Sequence, residues 1–208
     1  MSRENNPEPK RKYRKRRRAE LEDETRLRIT EAAVELHGSV GPAQTTISAV
    51  AERAGVQRAT LYRHFPDEEA LFDACSSHWA AEHPLPDLAD WAAIVDPDER
   101  LRTALSALYA WYENGQEMLE RTTRDATLAP AMGSAVERMG RWYAEALAAI
   151  LRGRSERGAR RRRVEATVTH AVSFTTWRSL VRDQGLPDSD AVELMHGLVT
   201  LAAGRQPD

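Results

Sequence analysis

The chain has 208 residues, 30% of them charged, with one cysteine and a formal net charge of −2. No apolar run approaches membrane-spanning length and the N-terminus lacks the apolar core of a signal peptide, so we expect a cytoplasmic protein with no membrane partner. Cys75 cannot form an internal disulfide, which fits a reducing compartment.

The charge is distributed unevenly along the chain. Residues 1–20 carry nine basic and three acidic groups, a net charge of +6, whereas residues 21–82 carry five basic and eleven acidic groups, a net charge of −6. The stretch KRKYRKRRR has no apolar periodicity and predicts a disordered basic arm over residues 1–20. Such an arm either keeps the protein soluble or binds a polyanion and releases counterions. Its basic residues in this stretch are Lys10, Arg11, Lys12, Arg14, Lys15, Arg16, Arg17 and Arg18.

Three helices are predicted next. Apolar residues recur at helical spacing from Ile29 to Leu36, and glycines at 38 and 41 end this first helix. A second helix begins at Thr45 or Thr46, either of which can accept a backbone N–H as the N-cap. Gly55 follows where a chain leaving a helix often needs a positive φ, and a third helix starts within about three residues. Two short helices joined by so tight a turn form a helix-turn-helix.

The third helix lies within GVQRATLYRHF, residues 55–65. Leu61 and Phe65 define its buried face, so Ala59 and Arg63 point away from the core. Arg63 or Arg58 can donate bidentately to guanine O6 and N7, and the Ala59 methyl can contact a thymine methyl. A helix that enters the DNA major groove has this composition, and so does an ordinary solvated helix face.

A fourth helix is predicted in PDEEALFDACSSHWAAEH, and the Pro-containing segment up to residue 97 then breaks the pattern. Beyond it we predict helices at about 98–113, 116–128, 131–152, 160–183 and 188–203, with no strand-like alternation. The predicted fold is all-α, with a helix-turn-helix DNA-binding domain over residues 21–82 and a larger helical domain over residues 83–208.

Residues 45–72, TTISAVAERAGVQRATLYRHFPDEEALF, resemble the DNA-binding signature of the tetracycline-repressor (TetR) family of bacterial transcriptional regulators. With the preceding helix, the resemblance covers about residues 22–80. It implies a homodimeric regulator on the nucleoid, most often a repressor, that a small molecule releases from a palindromic operator. It implies phosphate contacts from Thr45, Thr46, Tyr62 and His64, and base reading by Gln57, Arg58, Ala59, Thr60 and Arg63.

Two residues depart from the family pattern. Gln57 stands where Ser or Thr is common, which predicts a poorer N-cap for the third helix. Glu68 stands where Lys commonly meets a phosphate, which makes that contact repulsive. Because the net charge of residues 21–82 is also negative, we expect the basic arm to supply much of the nonspecific affinity, for example from a flanking minor groove.

A dimer is expected because one short helix contacts too few base pairs for useful selectivity. The predicted helices at 160–183 and 188–203 carry apolar faces that either pair with their symmetry mates or close the monomer core. The candidate interface residues are Val164, Val168, Ala171, Thr175, Ala191, Leu194, Met195 and Leu198.

Aromatic residues concentrate in the C-terminal part of the chain. They predict a pocket for a small, mostly apolar effector, or an ordinary core, because aromatic residues at helical spacing are common in both. The candidate pocket residues are Trp111, Tyr112, Arg121, Asp125, Trp142, Tyr143, His170, Phe174 and Trp177.

Two other functions are compatible with the sequence. The first is a DNA-binding regulator without an effector. The second is an enzyme, for which the six histidines and the scattered carboxylates offer no metal-ligand spacing, nucleophile elbow or Gly-rich phosphate loop. We therefore expect no catalytic residue, metal site or cofactor.

Overall fold

The structure of the protein, a computed structural model, describes residues 8–205 and, for residues 8–11, the backbone alone. These residues form ten α-helices and no strand, which confirms the all-α prediction. The helices are α1 Glu8–Ser39, α2 Ile47–Arg53, α3 Arg58–His64, α4 Glu68–Glu82, α5 Leu88–Ala93, α6 Pro97–Asp125, α7 Gly133–Leu151, α8 Gly158–Ala171, α9 Phe174–Trp177 and α10 Asp188–Ala202. Over the same residues, no helix combines the length and apolar character that a membrane span requires.

The first hydrophobic core lies between α1, α2, α3 and α4. Ile29, Val50, Leu61 and Phe65 are fully buried in it. This is the face that the helical spacing of the sequence predicts, and it brings the helix-turn-helix against α1 and α4.

The second core is formed by α5 to α10. Its largest fully buried side chains include Trp91, Tyr109, Tyr112 and Trp177. At one end of this core the buried Arg154 side chain donates to Asp98 at 2.9 Å, which ties the loop before α8 to the first turn of α6.

The structure places residues 8–20 of the predicted arm in α1, which already begins at Glu8. Residues 1–7 of the predicted arm lie outside the described residues. Arg16 Nε donates to Glu20 at 2.8 Å and Arg18 Nε donates to Glu22 at 3.0 Å, both at i, i+4 spacing. These pairs join the basic stretch to the acidic turn that follows it.

The predicted helices at 98–113 and 116–128 are a single helix, α6, of 29 residues. Gly115 does not end the helix because it is a packing residue. It is buried against Trp79, and a Cβ atom there would lie 3.0 Å from Trp79 Cζ2.

The predicted helix at 160–183 is instead broken after Ala171. The Tyr109 hydroxyl donates to the Ala171 carbonyl at 2.9 Å, and the Tyr112 hydroxyl donates to the Val172 carbonyl. Carbonyls at the end of α8 thus bond to tyrosines of α6 rather than to a next helical turn. The chain then forms α9 and a π-helical segment over Arg178–Asp183.

Candidate nucleic-acid interface

The turn between α2 and α3 has the geometry of a helix-turn-helix. Gly55 takes a φ of +66°, as the sequence predicts, and the Val56 N–H donates to the Ala51 carbonyl at 2.9 Å. Thr46 Oγ1 accepts the Ala49 N–H at 3.1 Å and so caps α2. Gln57 takes the N-cap position of α3 without a side-chain capping bond, which confirms the poorer cap.

The α3 helix presents one face to the core and the opposite face to solvent. Leu61 is fully buried and anchors the helix. Of the predicted base-reading residues, Thr60 is half-buried and the others are exposed, namely Gln57, Arg58, Ala59 and Arg63. Neither Arg58 nor Arg63 has an ion-pair partner among the described residues, so both guanidinium groups are available to DNA.

The hydroxyls predicted to contact phosphates differ in their environment. Tyr62 is 44% exposed and Thr46 is exposed, and the Thr46 hydroxyl proton remains available because its oxygen is the acceptor in the cap. Thr45 is half-buried and its hydroxyl donates to the Gly41 carbonyl at 2.9 Å. The Thr45 hydroxyl therefore stabilises the loop before α2, and this bond would have to break for it to donate to a phosphate.

The His64 side chain at the end of α3 is partly buried. Its Nε2 atom is buried and has no hydrogen-bond partner among the described residues. Burial, assisted by the nearby charges of Arg63 and Arg26, lowers the pKa of His64. The imidazole is therefore neutral near pH 7, and His64 Nε2 would have to become exposed before it could contact a phosphate.

Arg26 of α1 positions α3, a role that we did not predict from the sequence. Its Nη1 donates to the His64 carbonyl at 2.5 Å and its guanidinium lies 4.1 Å from the centroid of the Phe65 ring. It thus ties the C-terminal end of α3 to α1. The sequence does hold one indication of this role: Arg26 stands three residues before the buried Ile29, on the side of α1 that faces the helix-turn-helix.

The electrostatic surroundings of α3 are otherwise acidic. Glu68 is exposed at the first turn of α4, and Asp67 caps that helix by accepting the Ala70 N–H at 2.7 Å. Arg53 of α2 is held by Glu35 through two hydrogen bonds. The surface around α3 therefore offers few free cations besides Arg58 and Arg63.

Arg121 and Asp125, predicted in the effector pocket, lie instead at the junction between α6 and the loop before α2. Arg121 Nε donates to the Ser39 carbonyl at 2.6 Å, and the buried Asp125 carboxylate accepts the Ala43 N–H at 3.0 Å. A hydrogen bond from Arg124 is the main reason why the pKa of Asp125 is lowered. The C-terminal end of α6 therefore holds the segment that leads into the helix-turn-helix.

The predicted aromatic pocket residues pack against one another. The Tyr112 and Tyr143 hydroxyls are 2.7 Å apart, and Trp177 Nε1 donates to Asp188 at 2.9 Å. Trp111 and Phe174 are buried next to Tyr112, and Trp142 packs edge-on against Trp91. His170 is exposed, so it does not lie in the core. A cavity of about 170 Å³ lies at a different place, between α2, α4 and the loop after α6.

The predicted dimer residues divide into two groups. Five are buried in the core of the single chain, because α8 and α10 pack on each other and on α6: Val164, Val168, Ala171, Ala191 and Met195. Thr175, Leu194 and Leu198 are exposed. With Leu201, the last two form an exposed apolar row on α10 at i, i+4 and i+7.

Comparison with known proteins decides the family. The family described as bacterial regulatory proteins, tetR family, matches residues 29–75. The HTH-type transcriptional regulator Rv1255c of Mycobacterium tuberculosis is 32% identical in an alignment of 147 residues that covers 60% of this chain and 73% of that protein. The chain belongs to the TetR family. This TetR-family protein is a DNA-binding transcriptional regulator, and the resemblance in residues 45–72 is confirmed.

Further relatives agree with this assignment. The HTH-type regulator SrpR of Pseudomonas putida is 34% identical in an alignment of 88 residues that covers 38% of this chain and 40% of that protein. A TetR-like regulator from Rhodococcus sp. RHA1 has the same fold, with a TM-score of 0.56 at 19% identity over 87% of this chain and 97% of that one. FadR from Bacillus subtilis, in complex with stearoyl-CoA, gives a TM-score of 0.53 at 19% identity over 85% and 97% of the two chains.

Proposed function

We propose that this TetR-family protein is a homodimeric repressor that reads a palindromic operator and leaves it when a small molecule binds. In this proposal residues 21–82 are the DNA-binding domain and residues 83–208 bind the effector and the second protomer. The observation that carries it is the orientation of α3, which buries Leu61 and turns Arg58, Ala59 and Arg63 outward. A recognition helix needs a fixed inner face and free outer side chains.

The outward side chains suggest separate roles. Arg58 and Arg63 discriminate guanine through bidentate donation, and Ala59 permits close approach to the groove floor. Gln57 and Thr60 complete the base-reading set. Tyr62 and Thr46 fix the register by donating to phosphate oxygens.

Selection from random duplexes tests this function. The purified protein should enrich a palindrome with half-sites roughly 34 to 36 Å apart, one helical turn. Arg63→Ala should then cost about 1–3 kcal/mol per half-site and relax the preference at one position of each half-site. Arg141→Ala on α7, which removes an exposed arginine from another part of the chain, should leave the affinity unchanged. Enrichment of no sequence would refute the proposal.

The exposed row Leu194, Leu198 and Leu201 on α10 supports the dimer. Three leucines at helical spacing on one surface, each 40% or more exposed, favour packing against a second copy of the helix. The same contact would fix the spacing between the two α3 helices.

The effector is proposed to be small and mostly apolar. The aromatic cluster around Tyr112 offers apolar surface with a few polar groups, and the fold neighbour FadR is in complex with stearoyl-CoA. Because these side chains are closely packed, an effector would bind a conformation in which they separate, and it shifts the equilibrium only by its differential affinity for that conformation. Its binding should raise the melting temperature and release the operator.

The close packing of the same cluster also favours a second candidate, a regulator without an effector. A melting-temperature screen of fatty acids, acyl thioesters and aromatic compounds distinguishes the two candidates. A compound that both stabilises the protein and releases the operator supports the effector, whereas uniform absence of stabilisation supports the second candidate.

The basic residues before residue 19 are proposed to supply much of the nonspecific DNA affinity. Removal of residues 1–18 should weaken operator binding and flatten its salt dependence, because fewer counterions are released. An unchanged salt slope would contradict this contribution.

A further inference from the structure

The N-terminal part of α1 stands apart from the rest of the molecule. Every side chain from residue 12 to residue 24 is exposed, and the hydrogen bond from Arg26 to α3 marks where α1 meets the helix-turn-helix. Residues 8–25 of this helix span about 27 Å at 1.5 Å per residue. The described side chains of this segment, from residue 12 to residue 24, therefore have no buried contact that would hold it helical.

The charges of the segment oppose the helix when it is free in solution. Four pairs of basic residues stand at i, i+4 spacing, 10 with 14, 11 with 15, 12 with 16, and 14 with 18. They also lie in the first turns of α1, where the helix dipole already disfavours positive charge. Among the described residues, only Arg16 and Arg18 of this stretch have an acidic partner.

A polyanion would reverse both effects, because phosphate groups neutralise the like charges and complement the positive end of the helix dipole. We propose that residues 8–18 become a stable helix when the protein binds its operator, and that this helix lies along the duplex beside the bases that α3 reads. The proposal rests on the DNA-binding function and concerns a second contact with the same DNA.

The dimensions of the helix specify how it contacts the duplex. An α-helix with side chains is about 10–12 Å across, whereas the minor groove of B-DNA is about 6 Å wide. The helix therefore follows a phosphate ridge or the adjacent major groove, and does not enter a flanking minor groove as an extended arm would. Its contacts are to the backbone, so they add affinity and salt dependence without new base preference.

A pair of substitutions at Lys15 separates a helical contact from a flexible one. Lys15→Gln removes one positive charge and leaves the helix intact, whereas Lys15→Pro removes the same charge and breaks the helix. With Gln we expect a loss of affinity of a few fold and a salt dependence that is shallower by about 0.9 per protomer, or about 1.8 for the dimer. With Pro we expect operator affinity to fall at least a further tenfold and its salt dependence to become clearly shallower than with Gln. The reason is that the residues before position 15 lose their alignment with the phosphates.

Equal affinities for the two variants would overturn the proposal, since the segment would then bind as a flexible chain. Both variants should have the melting temperature of the wild type, because residue 15 lies outside the two cores. If the wild-type protein selects no DNA sequence, the DNA-binding proposal itself is refuted. Arg63→Ala, which lacks a proposed base contact, shows how a loss of base reading appears in the same assay.

Hydrogen exchange gives an independent readout. In the free protein, amides of residues 8–18 should exchange rapidly, and in the operator complex their exchange should slow at least tenfold. In Lys15→Pro the slowing should be absent before residue 15. Rapid exchange of these amides in the wild-type complex would overturn the proposal.

Discussion

Gly41 allows the loop before α2 to approach the end of α6. It takes a φ of +98°, and a Cβ there would collide with Arg124 Nη2 and Asp125 Oδ2. We predict that Gly41→Ala lowers the free energy of unfolding by about 2–4 kcal/mol, from backbone strain and the displaced Asp125. Urea unfolding measures this. Gly55→Ala is the control, because φ is +66° there but a Cβ would meet no atom, so the loss should be only about 1–2 kcal/mol.

His37 should make the protein less stable in mild acid. Burial lowers its pKa from 6.5 to about 4, and its ring lies against Phe72 with Nδ1 at 3.2 Å from Cys75 Sγ. Between these pH values the unfolded state binds a proton that the folded state does not, so stability is lost as the pH falls from about 6.5 toward 4. From pH 7.5 to pH 5 the loss from this residue should be on the order of 2 kcal/mol.

Urea unfolding at these two pH values, on the wild type and His37→Phe, tests this expectation. The variant should lose less stability, because phenylalanine keeps the packing against Phe72 and cannot be protonated. His64 and His196 also have lowered pKa values through burial, so part of the pH dependence should remain. An identical pH dependence in both proteins would show that His37 is not the main group.

For single residues, the sequence predicts burial and exposure correctly where the helical period alone determines them. Leu61 and Phe65 are buried and Arg58 and Arg63 are exposed, as the period predicts. The sequence did not predict that His64 Nε2 is buried, because the surroundings of His64 depend on α1, a segment 38 residues away in the chain. A tertiary hydrogen bond of this kind leaves no periodic signal in the sequence.

At the scale of elements, Arg26 connects two helices that the sequence treats separately. Arg26→Met keeps an apolar stem against Phe65 but removes the donor to the His64 carbonyl. We predict a loss of stability of about 1–3 kcal/mol, the usual contribution of a hydrogen bond to a charged group. Operator affinity measured well below the melting temperature should also fall, because α3 is less firmly oriented.

The matched control is Arg28→Met. Arg28 is exposed on the same helix and has no ion-pair partner among the described residues. This control removes the same formal charge, so its affinity isolates the electrostatic part of the effect. If Arg26→Met and Arg28→Met bind the operator equally, Arg26 does not orient α3.

Element boundaries show why the helical period predicts helices better than their ends. Gly115 resembles a helix end in sequence, but it lies inside α6 because Trp79 needs the space. Nothing in the sequence near Ala171 suggests a break, and α8 ends there because tyrosines of α6 bond to its last carbonyls. The basic stretch at residues 10–18 lacks an apolar period, yet α1 includes it.

For the whole molecule, α6 links the helix-turn-helix to the C-terminal core. Its last turn holds the loop before α2 through Arg121 and Asp125, and its first turn holds the loop before α8 through Asp98. The two ends lie about 42 Å apart along one continuous helix. In the proposed mechanism, a change of packing around Tyr112 in the middle of α6 would therefore act on the entry to the helix-turn-helix.

The exposed leucines of α10 determine the expected assembly. Leu198→Glu places a charge in the middle of the row formed with Leu194 and Leu201, so in a dimer two carboxylates would be buried near the two-fold axis. We predict that the variant sediments as a monomer of 23.4 kDa whereas the wild type sediments at twice that mass. Because a monomer binds one half-site at a time, operator affinity should fall at least a hundredfold. Leu128→Glu, at a leucine 66% exposed elsewhere on the surface, should remain dimeric. A dimeric Leu198→Glu protein would place the interface on another face.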